Sequence, residues 1–316
     1  MSRKLIVHQP TNHQSKKYRY YNIFFDNFIK KLSEKHDVVT DRYYRDAHLG
    51  QKLVRLGWQH NENDVDVLTY ECEMIIEDYD TGETYVFGVA DDLTSATLNL
   101  QSYDNVKKVF ISQFIREKVY HHVSPQNQYK YFPWIYFPSN EYDLDYYYNL
   151  RKTMDISNDK FYFRGDTSTR PILNYFSPDV FYGGGPIGGF ENYANEMLNF
   201  EVAFSVAGRA EICYRDIECM AMGIPFIRFE FTSEFHEPLI PNYHYISVKR
   251  PDDLKDWMNL DRNGLQHHAD MITKKFLEVK DDKEFLNFIS TNAREYYEKY
   301  LSPESSIEYT LKLLDL

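Results

Sequence analysis

The apolar positions change period several times along the chain, and each change marks an element. Residues 4–9 form the short apolar run of a buried strand, and Phe25, Phe28, Ile29 and Leu32 follow at the spacing of one helical face. Residues 37–40 return to a strand. A strand, helix, strand order of this kind opens a parallel α/β sheet, in which right-handed crossovers place ligands beyond the carboxyl ends of the strands. His8, Asn12 and His13 would lie at that end, as lining of an acceptor cleft or as ordinary loop residues. From residue 65 the pattern alternates: 65–76, a turn at Asp80-Thr81-Gly82, then 84–89 read as a hairpin, which argues against a purely parallel first domain. Residues 109–112 and 134–137 read as further strands, the second bounded by Pro133 and Pro138, and the polar, Tyr-rich stretch 139–159 as a linker and helix between domains.

The second half is more regular. Residues 161–163 predict a strand and 164–170 a loop, and Ser168 or Thr169 with Pro171 marks a helix start. A glycine-rich loop at 183–189 precedes a helix at 192–199, a strand at 202–206 and a turn at Gly208. A helix at 210–222, stopped by Gly223, and a strand at 225–229 complete a doubly wound order. The chain thus divides into 1–155 and 156–316.

The length of 316 residues suits two α/β domains of ordinary size. A hydrophobic fraction of 43% with 27% charged residues excludes wholesale disorder. The net charge of −12 argues against a nucleic-acid-binding protein, which needs a broad basic face, so an anionic ligand must meet a local basic cluster. Cys72, Cys213 and Cys219 include no Cys-x-x-Cys pair, which excludes a disulfide scaffold and a thiolate zinc site and fits a reducing compartment. The apolar run at the N-terminus is three residues long and no later stretch is long enough to span a bilayer, so the expected location is cytoplasmic, with no transmembrane segment.

The candidate chemistry lies in residues 204–225. Cys213, Ile217, Met220 and Ala221 form the apolar stripe of the predicted helix, and Glu211, Arg215 and Glu218 its other side. Gly208 permits a tight strand-to-helix turn, the free amides of the first helical turn suit an anion such as a diphosphate, and Arg209 and Arg215 would complete that site. Arginine grips phosphate oxygens in a fork, and Glu218 one turn on can accept both hydroxyls of a ribose. The same spacing also suits a solvated face of i, i+4 and i, i+3 ion pairs. A second basic loop, Phe163-Arg164-Gly165-Asp166, falls at the end of another strand of the same domain and would converge on the same crevice.

Over residues 160–258 the order of these pieces resembles the GT-B glycosyltransferases, especially the protein O-glucosyltransferase and capsule-associated family, with exostosin-like features. Phe163-Arg164-Gly165 is similar to that family's Phe/Trp-Arg-Gly loop and Arg215 to its phosphate-binding arginine, while Arg215 with Glu218 resembles the exostosin Arg-x-x-Glu arrangement. Glu234-Phe235 and the run from Pro241 through His244, Tyr245 and Ile246 resemble the family's Glu-Phe turn and Pro-x-x-His-Tyr-Ile strand, followed by a helix at 251–258. The resemblance implies two Rossmann-like domains facing across a cleft, with an acceptor-side domain at 1–155 and a donor domain at 156–316. Arg164, Gly165, Gly208, Arg209, Arg215, Glu218, Glu234 and Phe235 would bind a UDP- or GDP-sugar. The implied activity is hexosyl or pentosyl transfer, with inversion, to a glycan or other hydroxyl acceptor.

Such a transfer needs charge stabilisation on the departing diphosphate and, with inversion, a base for the acceptor hydroxyl. Asp92, with Asp91 beside it, ends the predicted strand 84–89 and is the candidate base. No metal is expected. Of the Asp-x-Asp pairs that could hold one, Asp64/Asp66 precedes its strand and Asp78/Asp80 sits in a hairpin turn, and Asp143/Asp145 is the third. His121-His122 and His267-His268 lack the i, i+4 zinc spacing and read as surface histidines. A non-catalytic nucleotide- or glycan-binding module and a different polysaccharide-modifying transferase, such as a pyruvyl transferase, are the alternatives.

Overall fold

The computed structural model describes residues 2–11, 16–44, 72–88, 98–135, 142–208, 210–251 and 260–316. The chain forms two α/β units. The first comprises Met1–Glu141, Ser233–Glu237 and Pro303–Leu316, the second Tyr142–Thr232 and Pro238–Ser302.

The first unit carries β1 (Lys4–Thr11), α1 (Lys16–Ser33), β2 (Asp37–Tyr44), β3 (Cys72–Asp78), β4 (Thr84–Gly88), β5 (Val106–Ile111), α2 (Arg116–His122) and β6 (Tyr131–Pro133). Its sheet runs in the order β2-β1-β3-β4-β5-β6, and β3 alone is antiparallel to its neighbours. The β3–β4 hairpin is local chemistry. The Asp78 carboxylate accepts from the amides of Asp80 and Thr81 at 3.0 and 3.1 Å, and Gly82 takes φ 70° where a side chain would be strained. Phe25, Phe28 and Leu32 of α1 pack with Leu5, Val7, Phe87 and Trp134, and Ile307 and Leu314 of the C-terminal helix Pro303–Leu314 join the same core. Trp134 donates to Thr310 Oγ1 at 2.9 Å, so the last helix belongs to this unit and not, as the division at 155/156 has it, to the second.

Two local expectations are corrected. The last strand is Tyr131–Pro133 and not 134–137, of which 136 and 137 lie outside the described residues. Because β6 is an edge strand, Pro133 can sit inside it without removing a ladder bond. His8, within the predicted strand but expected at its carboxyl end as cleft lining or loop, lies inside β1, 1% exposed, with Nδ1 3.1 Å from Asp41 Oδ2 and Nε2 2.8 Å from Glu77 Oε2. Asn12 and His13 lie outside the described residues, as do Asp64, Asp66, Asp91 and Asp92.

The second unit carries α3 (Leu144–Arg151), β7 (Asn158–Arg164), β8 (Phe181–Gly184), α4 (Phe190–Met197), β9 (Phe200–Phe204), α5 (Tyr214–Ala221), β10 (Phe226–Phe229), β11 (Ile246–Val248), α6 (Arg262–Val279) and α7 (Lys283–Tyr296). Its sheet is parallel throughout, in the order β11-β10-β9-β7-β8. Asp143 caps α3 by accepting from Tyr146 N at 2.9 Å, and Arg151 reaches the carbonyls of Leu198, Phe200 and Glu201 at 3.2, 2.9 and 3.2 Å. The helix read as a linker is therefore part of this unit.

Sequence and structure differ here in five places. Gly183 and Gly184 are in β8, not in a loop. Pro171 opens a five-residue 3-10 turn, Pro171–Tyr175, in place of a full helix. The helix predicted from 210 begins at Tyr214, because the Cys213 amide donates to Asp216 Oδ2 at 2.8 Å and closes a capping box there. The stretch read as a strand to Ile246 is a turn around Asn242, φ 55°, before β11 begins. Of the helix expected at 251–258, residues 252–258 lie outside the described residues. His268 is buried in α6 against Phe229 and not a surface residue; His121 and His122 are exposed.

Candidate functional site

The strand order of the second unit fixes where a ligand can bind. From β7 the chain moves outward to β8, then returns to the other side of β7 to lay down β9, β10 and β11. The direction reverses between β7 and β9, and in an open parallel sheet the loops at such a point part to leave a crevice beyond the carboxyl ends. A pocket of about 440 Å³ lies there. Its lining comes from the end of β7 and the loop after it (Arg164, Gly165, Arg170), the segment before α4 (Ile187, Gly189) and α5 (Tyr214, Arg215, Glu218), among others.

Arg215 is 9% exposed, and its guanidinium lies 3.9 Å from the centre of the Phe163 ring. Its Nη2 donates to the Arg164 carbonyl, while Nε is buried without a hydrogen-bond partner. A buried donor left open costs free energy that a bound anion would recover. Burial works against its charge, but Tyr193 and Glu218 outweigh this and hold the guanidinium above its ordinary value. One turn along α5, Glu218 accepts from the Tyr193 hydroxyl at 3.0 Å. Burial pushes the Glu218 carboxyl up, with Arg215 and Tyr193 pulling the other way.

This shift has a testable consequence. A carboxyl with a raised folded value contributes stability that is complete below the usual carboxylate range and is lost as pH rises through the folded value. Glu218→Gln removes that loss. The melting temperature of the variant is therefore expected to gain on wild type as pH rises from about 4 to about 8, and a constant difference across that range would contradict the buried, charged assignment.

Arg164 lines the pocket, yet its side chain is committed elsewhere. Nε and Nη2 form a fork on Glu196 at 2.9 and 3.0 Å, and the hydroxyls of Tyr162 and Tyr182 donate to the same carboxylate at 2.9 and 3.0 Å. The Arg164 hydrogen bond holds Glu196 below its ordinary value. Glu211, expected beside Arg215 and Glu218, instead pairs with Arg250 at 2.7 Å and accepts from the Thr232 amide at 2.7 Å. Below the start of α5, Asp216 and Arg228 form a fully buried ion pair at 2.7 Å that anchors the helix to β10.

The structure thus brings together Arg164, Gly165, Arg215 and Glu218. Gly208 packs against Arg170, which lines the pocket, and Arg209 is outside the described residues. Glu234 and Phe235 belong to the first unit. Glu234 bridges to Phe114 and accepts from Arg116 at 2.8 and 2.6 Å, and Phe235 is buried there. Sequence reasoning missed Arg170, Tyr193 and Glu196, none of which sits in a recognisable motif.

Among the described residues no group of three or more His, Cys, Asp and Glu side chains is disposed to hold a metal, and no helix is long and apolar enough to cross a membrane. Asp78 is taken up by Arg3 and its own turn, Asp143 by the α3 cap and Asp145 by Arg294 at 2.5 Å.

No family model matches the chain, and no curated protein matches it in sequence. Among solved structures it is similar to Anabaena HepE in complex with UDP-glucose, at 11% identity and TM-score 0.46, over 99% of each chain. It is also similar to TarM, at 12% identity and TM-score 0.47, over 89% of this chain and 55% of that one. A third is the pneumococcal O-GlcNAc transferase GtfA in complex with UDP and GlcNAc, at 13% identity and TM-score 0.38, over 69% of this chain and 46% of that one.

Proposed function

We propose that the chain is a glycosyltransferase of the GT-B type that takes a sugar from a UDP- or GDP-sugar and transfers it to a hydroxyl acceptor. The observation that carries this reading is the pocket at the strand-order reversal of the second unit. There Arg215, a buried guanidinium whose Nε has no hydrogen-bond partner, lines the pocket together with Glu218. A guanidinium suits the departing diphosphate, and a carboxylate one turn away suits the paired hydroxyls of a ribose. The apolar Pro186, Ile187 and Phe190 offer a wall for the rest of a nucleotide. Arginine would replace a metal in balancing the diphosphate. Asp92, or Asp91 beside it, is the proposed base for the acceptor hydroxyl. The acceptor is a glycan or another hydroxyl compound, with inversion at the transferred carbon.

A thermal-shift panel of nucleoside diphosphates and sugar nucleotides, run with and without EDTA, tests the reading, because a ligand bound only by the folded chain must raise its melting temperature. UDP or GDP is expected to do so in EDTA. Stabilisation that disappears on chelation would remove the metal-free part of the proposal, and no response to any member would remove the proposal.

A further inference from the structure

Two glycines beside the pocket pack against arginines. A Cβ on Gly208 would stand 2.5 Å from Arg170 Nη2 and 3.0 Å from Arg170 Cζ, and a Cβ on Gly165 would stand 2.8 Å from Arg215 Nη2. Gly165, at φ 157°, has a backbone conformation that itself favours glycine, as Gly82, Gly189 and Gly223 do, whereas Gly208 does not. The guanidinium of Arg170 therefore occupies the space a Gly208 side chain would take, and Arg215 Nη2 does the same at Gly165. Both also lie over the same buried ring, with Cζ 5.7 Å from the centre of Phe163 for Arg170 and 3.9 Å for Arg215.

The hydrogen bonds of Arg170 spread across both loops of the crevice. Nε donates to the Val206 carbonyl at 3.3 Å, Nη1 to the Asp166 carbonyl at 2.9 Å and to Thr169 Oγ1 at 3.2 Å, and Nη2 approaches Cys213 Sγ at 3.8 Å. All of these are neutral acceptors. Among the described residues neither Arg170 nor Arg215 is hydrogen-bonded to a carboxylate, whereas Arg164, Arg228 and Arg250 each form an ion pair. The two positive charges over one ring repel each other, with Glu218 offsetting part of the charge of Arg215, and an anion bound between them relieves what remains.

We infer that Arg170, and not Arg164, is the partner of Arg215 in holding the diphosphate, and that Gly208 is glycine because it seats the Arg170 guanidinium. The inference rests on the proposed nucleotide-sugar reading and assigns the pocket's anion subsite within it. Arg164 contributes through its main-chain carbonyl, which holds Arg215, while its charge is spent on Glu196. An added methyl at Gly208 meets only the far end of a flexible side chain, so Gly208→Ala displaces Arg170 at little cost to the fold.

Calorimetric titration with UDP and with GDP, in wild type and in Arg170→Gln, Arg164→Gln, Gly208→Ala and the double variant Gly208→Ala/Arg170→Gln, tests the assignment. Arg170→Gln is expected to weaken binding about 10- to 100-fold and Arg164→Gln less than about 3-fold. Gly208→Ala should reproduce most of the Arg170 loss, and the double variant should bind no more weakly than Arg170→Gln alone, because both changes remove one contact. Arg170→Lys keeps the charge without the fork and is expected to fall between the two, which supplies the reading if Arg170→Gln does not fold. Wild-type affinity in Arg170→Gln or Arg170→Lys, a larger loss in Arg164→Gln, or additive losses in the double variant would overturn the assignment while leaving the proposed function in place. A wild-type chain that binds neither nucleotide overturns both.

Discussion

Arg215→Ala is expected to weaken binding of the nucleoside diphosphate by about 1.5–3 kcal/mol, the usual worth of a charge-assisted contact, which is roughly a 10- to 150-fold rise in Kd. The fold should survive. Arg215 is buried, but its side-chain hydrogen bond goes to the main-chain carbonyl of Arg164 at the end of β7, and the helix that carries it is anchored independently by the Asp216–Arg228 pair and the Cys213 capping box. Removing the guanidinium also removes an unpartnered buried Nε, which compensates part of the lost packing on Phe163. Calorimetry for affinity and thermal melting for stability separate the two effects. Unchanged affinity, or a melting temperature that collapses while affinity is retained, would make Arg215 a packing residue.

What the sequence disclosed of this site follows the range of the interactions involved. Arg215 and Glu218 were legible because both lie on one helix, where a spacing of three residues places side chains on one face. The loop Phe163-Arg164-Gly165 was legible as a position, since it ends a strand of an α/β unit, but not as chemistry. Nothing near Arg164 in sequence announces that Glu196, 32 residues on, will take its guanidinium. Arg170 was passed over for the same reason, because the contact that defines it is the backbone of Gly208. Glu211 was placed on the wrong element because the capping box of Cys213 and Asp216 starts the helix one turn later than the apolar pattern did. The C-terminal helix was assigned to the second unit by chain order alone, whereas Ile307 and Leu314 complete the core around Phe25 and Trp134.

The largest effect on stability is expected at Gly183, which the glycine-rich run hid among loop glycines. In β8 it pairs with Phe163 of β7, and a Cβ there would stand 1.9 Å from the Phe163 carbonyl oxygen. That neighbour is backbone in the middle of a parallel ladder and no rotamer change can relieve the collision. Gly183→Ala must therefore push β8 off the sheet edge or distort β7 next to the pocket. Overpacking usually costs 1–3 kcal/mol, and a main-chain collision belongs near the top of that range, so a loss of about 3 kcal/mol is expected. Equilibrium denaturation measures it as a lower midpoint. Gly185 is the internal control: a Cβ there meets nothing within 4 Å, so Gly185→Ala should unfold near wild type. Equal midpoints for the two variants would contradict the β7–β8 register.

The central claim is that the pocket beyond the carboxyl ends of β7 and β9 binds the diphosphate of a nucleotide through arginine. The most direct test is the crystal structure of the chain with UDP or GDP, whichever raises the melting temperature more. The account predicts phosphate oxygens within about 2.7–3.2 Å of guanidinium nitrogens of both Arg170 and Arg215, with the ribose beside Glu218. A nucleotide bound elsewhere on the chain, with Arg170 and Arg215 unmoved and in contact with none of its phosphates, would contradict it.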